Sequence, residues 1–237
     1  AIIGSGISGL TAAILLKDYA DVTVFEKAQS VSGRMSTRRS EPYFFDHGAQ
    51  YFTARTQSFK QFIYPLINNG VIERWNARYV KLDGEKIIER IDWKDENNEP
   101  RYVGVPSMNM IAKHLARDLN VRLNTQIDTI QNDGKWQLSS IQNQSYDGFD
   151  WVISTAPSIQ TADLLPIEFH YHNEIKNIQM KACFSLMLGF PEPLHLGYDA
   201  AHISNSDLSW LAVNSHKPGR PRPYTLVAHS SEQYAEA

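Results

Sequence analysis

Gly4-Ser5-Gly6-Ile7-Ser8-Gly9 fits the pattern G-x-G-x-x-G, and Glu26 follows the second glycine by about 20 residues. Residues of these types at this spacing can hold a dinucleotide. The first glycine permits a tight turn, the second lets a pyrophosphate approach the backbone, and the third lets a helix pack closely on a strand. Unpaired N–H groups at the start of that helix, with their partial positive charge, would meet the phosphates. A carboxylate after the next strand would take the ribose diol and disfavour a 2′-phosphate, so the adenosine ribose of the ligand is expected to be unphosphorylated. Three glycines can equally make a turn that serves packing alone. Here their context is that of a ligand site, with a strand before, a helix after and an acid beyond.

The elements that must position these groups are legible around them. Ala1–Ile3 is a short apolar run. Ser8–Tyr19 carries Leu10, Ala13, Ile14 and Leu16 close to a 3.6-residue period, and Asp21–Phe25 is a β-branched strand. A right-handed crossover would lay the two strands parallel. Helical spacing returns at Phe59, Phe62, Ile63, Leu66 and Ile67, and again at Met110, Ile111, His114 and Leu115. Asp83-Gly84 and Asp133-Gly134 are hairpin signals, the second between Ile127–Gln131 and Trp136–Ile141. Further strands are expected at Phe149–Ser154, Ser209–Val213 and Tyr224–His229, with a long apolar segment over Gln179–Phe190. A βαβ core interrupted by antiparallel material implies an α/β protein in which one domain is inserted within another.

The chain has 237 residues, room for one large domain or two modest ones at about 150 residues each. Apolar residues are 42% and charged residues 21% of it, an ordinary soluble balance, and a net charge of −3 carries no nucleic-acid footprint. Cys183 is the single cysteine, which excludes an intramolecular disulfide framework and a cysteine-based zinc cluster. It lies in Lys181–Leu188 (KACFSLML), read as an apolar strand in which the thiol is inert core. The histidines, His170 and His172 among them, form no matched metal-ligand set. No apolar run is long enough for a membrane span, and the first residues are expected to be a folded strand rather than a signal peptide. A cytoplasmic protein is expected from these absences.

The stretch Glu26-Lys27-Ala28-Gln29-Ser30-Val31-Ser32-Gly33-Arg34-Met35-Ser36-Thr37 resembles the glycine–arginine element that follows the ribose acid in flavin-containing amine oxidases. A glycine there lets backbone pass near the pyrophosphate, and an arginine neutralises its charge; the alternative is an exposed basic loop, since Arg38 and Arg39 adjoin it. Gly33–Arg39 (GRMSTRR) followed by Phe45–Arg55 (FDHGAQYFTAR) is similar to the bacterial renalase-like FAD-dependent oxidoreductases. Tyr102–Met108 (YVGVPSM), Val152–Pro157 (VISTAP) and Trp210–Arg220 (WLAVNSHKPGR) follow in that family's order, so the resemblance covers nearly the whole chain.

This resemblance implies a Rossmann-like FAD-binding domain over residues 1–60 and 105–160, with an inserted α+β substrate domain, built on a mostly antiparallel sheet, over 61–104 and 161–237. FAD would be held by Gly4, Ser5, Gly6, Ile7, Ser8, Gly9, Glu26, Lys27, Gly33, Arg34 and Met35. By family pattern Gly48, Ala49 and Gln50 pass the isoalloxazine ring, the backbone of Ile127 meets the adenine, and Thr155, Ala156 and Pro157 close over the dinucleotide. Tyr51, Phe52, Thr53 and Arg55 would line the substrate side, with Trp210 either completing an aromatic wall or packing as ordinary core. Arg55 meets a substrate phosphate or a neighbouring carboxylate. His47 either tunes the flavin or is a satisfied structural histidine. Two departures from the pattern, Ser32 before Gly33 and Ser107 where glycine is frequent, are small residues and imply modest adjustment. Relatives close the flavin site with a C-terminal glycine–aspartate element; none precedes Ala237, so the chain is expected to be a piece of a longer protein, the alternative being a site open on the ribityl side.

The implied chemistry is hydride transfer from dihydropyridine isomers of NAD(P)H to flavin N5, with O2 as acceptor giving H2O2. Such transfer needs alignment more than an acid or base, in keeping with the absence of a convincing catalytic triad. Two other readings stand beside it. One is an amine oxidase or desaturase of the same fold. The other is a non-catalytic flavin- or dinucleotide-binding protein.

Overall fold

The computed structural model describes residues 1–95 and 98–237. They form two compact units, each assembled from two stretches of chain: Ala1–Gly33 with Ala112–Met180, and Arg34–Ile111 with Lys181–Ala237. These are units of packing; the division expected from sequence concerned which stretches hold cofactor and which hold substrate.

In the first unit, Asn120–Arg122, Thr23–Phe25, Ile2–Ile3 and Ile153–Ser154 lie side by side in that order as a parallel sheet. Its two central strands, Ile2–Ile3 and Thr23–Phe25, are short and largely apolar because both faces are covered. Ile2 and Val24 pack with Ala13 of the helix Ile7–Leu16, while Ile3 and Phe25 on the other face pack with Ile127, Ile130 and Leu138. That second cluster belongs to an antiparallel sheet of Ile127–Asn132, Trp136–Ser140 and Ser145–Phe149, whose first turn places Gly134 at φ +80°. The expected strand Phe149–Ser154 is two strands. Its ends pair in different sheets, Phe149 with Trp136 and Ile153 with Ile2, so the chain must break between them. The first helix ends at Leu16 rather than Tyr19, in a turn where Tyr19 N–H donates to the Leu16 carbonyl.

The second unit is built on a six-stranded sheet in the order Ser185–Phe190, Tyr224–Ser230, Leu208–Val213, Ala200–Ser204, Tyr79–Asp83, Lys86–Ile91. All neighbours are antiparallel except Ala200–Ser204 with Tyr79–Asp83. The Asp83-Gly84 hairpin forms one residue later than read: Asp83 pairs with Lys86, and Gly84 takes φ +56°. Alternation gives this sheet two different faces. Val80, Leu82, Ala201 and Leu211 make one aliphatic. Tyr79, His202, Trp210 and His229 stand on the other, as the register of their strands requires. A smaller sheet orders Phe52–Thr53, Arg101–Gly104 and Ile72–Arg74, and the helix Gln57–Asn68 is capped by Thr56 Oγ1 accepting from Phe59 N–H.

Cys183 is exposed and precedes the strand Ser185–Phe190 instead of lying buried within it. That strand is the sheet's edge, paired only with Tyr224–Ser230, so the apolar residues ahead of it have no second neighbour to bury them. Among the described residues no helix is long and apolar enough to cross a membrane.

Candidate functional site

The glycine turn of the first unit is fixed by what surrounds it. Gly4 takes φ +102°, a conformation open to glycine, and its N–H donates to the Phe25 carbonyl at 2.8 Å. A methyl group on Gly9 would sit 2.0 Å from the Gly4 carbonyl oxygen, so this position admits only glycine. Gly6 is different: its φ of −69° suits any residue, and a methyl group there would meet nothing within 4 Å. Gly6 is also the N-cap of the helix Ile7–Leu16, with no side chain capping it and no acid in the first turn. The N–H groups that open this helix are therefore unclaimed, beside space that no protein atom fills.

Glu26 is buried beneath this turn. One carboxylate oxygen accepts from Ser5 N–H at 2.9 Å and Ser5 Oγ at 2.7 Å, and the other accepts from Ala28 N–H at 2.9 Å. Each oxygen has about two lone-pair directions, so acceptor capacity remains for a diol. Gly33, at φ +53°, comes against Gly6: a methyl group on it would lie 3.2 Å from the Gly6 Cα. Ser32 before it takes φ +139°, so the serine occupies a conformation that favours glycine. Thr155 Oγ1 donates to the carbonyls of Ile3 and Gly4, and Pro157 leads into the helix Ser158–Leu164. Lys27 Nζ reaches Gln160 Oε1 at 3.3 Å, and Ile127 is core. Gly4, Ser5, Gly6, Gly9, Glu26, Gly33 and Thr155 are thus brought together, and their bare helix N-terminus, open Gly6 and carboxylate fit a dinucleotide.

In the second unit, the loop Asp46–Tyr51 is held by buried charge. Arg220 donates to Asp46 Oδ2 through Nε at 3.1 Å and through Nη2, and Lys217 Nζ lies 3.7 Å from the same oxygen. Asp46 Oδ1 accepts from Thr37 Oγ1 at 2.8 Å and Met108 N–H at 3.0 Å. Burial pushes the Asp46 carboxyl upward, but Lys217, Arg220 and the Met108 N–H outweigh it and hold the acid below its ordinary range. Lys217 is wholly buried; loss of water brings its ammonium down to about 7, against the opposing pull of Asp46. Its Nζ donates to Gln50 Oε1 at 3.0 Å, and the Gln50 amide donates to the carbonyls of Asp46 and Gly48. The Gln50 side chain is therefore committed to the protein. Gly48 has no alternative residue, since a methyl group on it would lie 2.1 Å from the Arg34 carbonyl oxygen, which accepts from Ala49 N–H at 2.9 Å. His47 Nε2 lies 3.2 Å from Ser36 Oγ, while its buried Nδ1 has no partner, so it is not a fully satisfied histidine.

Beyond this loop the polar face of the six-stranded sheet gathers rings. Tyr51 lies 5.5 Å from Trp210 and 6.1 Å from Tyr79, and its hydroxyl is 3.3 Å from His202 Nε2. Arg101 places its guanidinium 3.9 Å from the Tyr79 ring centroid and 5.4 Å from that of Tyr51. The Tyr79 hydroxyl and Trp210 Nε1 are buried without a partner. Phe52 stacks on Tyr102 at 5.8 Å, and Arg55 binds Glu99 at 2.8 Å on the surface, the carboxylate alternative of the two read from sequence. Arg34 is exposed in the turn Gly33–Met35, and Arg38 and Arg39 lie on an exposed strand paired with Tyr43–Phe45.

Sequence reasoning assigned no role to Asp46, Lys217, Arg220, Tyr79, Arg101 or His202. Asp46, Lys217 and Arg220 sit within stretches that carried the family resemblance, which was the available signal; Tyr79, Arg101 and His202 had none.

Residues 2–64 match the NAD(P)-binding Rossmann-like domain, and residues 81–236 match the flavin containing amine oxidoreductase family. Among solved structures, a protein from an Exiguobacterium species, provisionally a protoporphyrinogen oxidase, is similar at 14% identity with a TM-score of 0.76, over 97% of this chain and 76% of that one. Wild-type putrescine oxidase bound to putrescine is similar at 13% identity and a TM-score of 0.73, over 99% and 76%. A Pyrococcus furiosus protein is similar at 13% identity and a TM-score of 0.69, over 97% and 79%. At these identities the likeness is one of fold.

Proposed function

The chain belongs to the flavin containing amine oxidoreductase family, with FAD as its cofactor, and we propose from that premise that it is a renalase-like oxidase of dihydropyridine isomers of NAD(P)H. In this reading the nucleotide end of FAD is held by Gly4–Gly9 and Glu26, with Lys27, Gly33, Arg34 and Met35 beside the pyrophosphate, Ile127 at the adenine, and Thr155, Ala156 and Pro157 along the dinucleotide. Gly48, Ala49 and the Gln50 backbone serve the flavin ring. Bound FAD would supply a two-electron acceptor: a hydride leaves the dihydropyridine, which becomes an aromatic pyridinium, and O2 takes both electrons with two protons as H2O2.

The protein's own part is to hold a flat ring. Tyr51 and Trp210 offer the aromatic surface, and Tyr79 and Trp210 each hold a buried donor in reserve for a polar substituent such as a carboxamide. Lys217, Asp46 and Arg220 fix the loop that presents Tyr51. The observation that carries the choice of substrate is the charge in this cluster: the Arg101 guanidinium is stacked on Tyr79, and among the described residues the nearest carboxylate, Asp199, is committed to Arg78 rather than left to receive a substrate ammonium.

The test is anaerobic mixing of the holoprotein with dihydronicotinamide dinucleotides while flavin absorbance is followed. Isomers reduced at ring positions other than the metabolic one bleach the flavin quickly and ordinary NADH does so slowly. Bleaching by simple amines, with none by any dihydropyridine, overturns the reading.

A further inference from the structure

Among the described residues, Arg101 and Arg220 are the arginines drawn away from full exposure. Arg220 spends its charge on Asp46 and on the carbonyls of Gly104 and Pro218. Arg101 has no such outlet: no described carboxylate forms an ion pair with it and no described acceptor takes a hydrogen bond from its guanidinium, which rests instead on the rings of Tyr79 and Tyr51. Arg55, Arg78 and Arg220 all have acids. A guanidinium carries five N–H donors in a planar fork, suited to a phosphate or carboxylate. Stacking on tyrosine faces orients the plane and leaves its edge, where the donors are, unengaged.

The carboxylates nearest these rings are already paired, Glu89 with Lys81 and Asp199 with Arg78, each at 2.7 Å. Lys81 shares the sheet face with Tyr79. His202 is pulled below its ordinary range by burial first and by Arg101 and Lys81 after, so it stays neutral near pH 7. The Tyr79 hydroxyl, raised by burial, stays protonated and unpartnered. The cluster therefore presents one guanidinium without a described counter-ion, two idle donors and ring surface. That combination rejects a protonated amine and suits a flat ring bearing an oxyanion.

We propose that Arg101 is the anion-recognising residue of the substrate site, taking a phosphate oxygen of a dihydronicotinamide nucleotide while Tyr51 and Trp210 hold its ring. This rests on the dihydropyridine reading above and deepens it, since it assigns the residue that recognises the phosphate of the nicotinamide nucleotide.

The experiment compares two substrates that differ by one phosphate, the dihydronicotinamide mononucleotide and the dihydronicotinamide riboside, in the wild-type holoprotein, Arg101→Gln and Arg101→Lys. Anaerobic flavin reduction is expected to need at least tenfold more mononucleotide for half-saturation in Arg101→Gln. The limiting rate stays within about twofold, the riboside is unaffected, and Arg101→Lys recovers part of the loss. Equal losses for both substrates, or none for either, overturn the assignment. Binding of oxidised nicotinamide mononucleotide, read by quenching of tryptophan fluorescence, is the second arm. If neither reduced compound bleaches the wild type but the mononucleotide binds tenfold more weakly to Arg101→Gln, the proposed oxidation fails while the anion site stands. If it binds both proteins alike, the anion site fails.

Discussion

The two packing units deploy their polar groups in opposite ways. In the parallel-sheet unit the groups on offer belong to the main chain: the open N-terminus of the helix Ile7–Leu16, the empty space over Gly6, and one carboxylate, Glu26, that braces the turn through Ser5 and Ala28. In the antiparallel unit the work is done by ionised side chains sealed from water, with Asp46 and Lys217 both 0% exposed at the side chain and Arg220 2%. Backbone donors need no desolvated charge of their own. A buried triad does, and becomes a liability when one member is lost.

The largest effect should therefore come from breaking the triad. Asp46→Ala leaves Lys217 and Arg220 buried without their counter-ion, and removal of one partner from a buried ion pair costs about 3–5 kcal/mol. Urea denaturation of the holoprotein measures this; a loss no greater than that of Glu26→Ala would erase the contrast between the units. The next effect falls on the cofactor. Glu26→Ala and Arg34→Ala should each weaken FAD binding by about 10- to 100-fold, through loss of hydrogen bonds to a charged group. Flavin retained at full occupancy with unchanged affinity counts against this placement.

The third effect is a pH dependence confined to the second unit. Lys217 binds its proton with a folded pKa of about 7 against 10.5 for the unfolded chain. Between those values the unfolded state holds the extra proton, so stability rises with pH across the window and is least favoured below it. Asp46, held below 3.8, contributes stability that is present above that value and is lost as acid carries the pH through its lower folded pKa. Thermal melts from pH 7 to pH 10 should show the alkaline rise in wild type and a flatter profile in Lys217→Met. Identical profiles would mean that the ammonium is not the titrating group. The smallest effect is a gain: Ser32→Gly removes a non-glycine residue from φ +139° and should stabilise the protein by about 1 kcal/mol, read by the same denaturation.

What was legible in the sequence follows the same divide. The crossover, its glycines and Glu26 could be read because they lie close along the chain and because a glycine with a positive φ, such as Gly4, leaves a mark in residue type. Both hairpin signals produced hairpins, through Gly84 and Gly134. The antiparallel unit was legible only as strands. Asp46 and Arg220 meet across 174 positions, and no local period announces such a pair. Tyr79 and Trp210 converge through the register of the six-stranded sheet, and Arg101 reaches Tyr79 from a strand of another sheet. Cys183 misled because KACFSLML looks like a buried strand, whereas burial there depends on a neighbouring strand that the edge position does not supply.

The central claim is that the space over Gly6 belongs to the cofactor and not to the protein. Gly6→Ala tests it, because its backbone at φ −69° accepts alanine and the added methyl group meets no protein atom within 4 Å. Apoprotein stability should remain within about 1 kcal/mol of wild type, while titration with FAD should show at least a tenfold loss of affinity. FAD bound as tightly as in wild type, by an equally stable protein, would contradict the account.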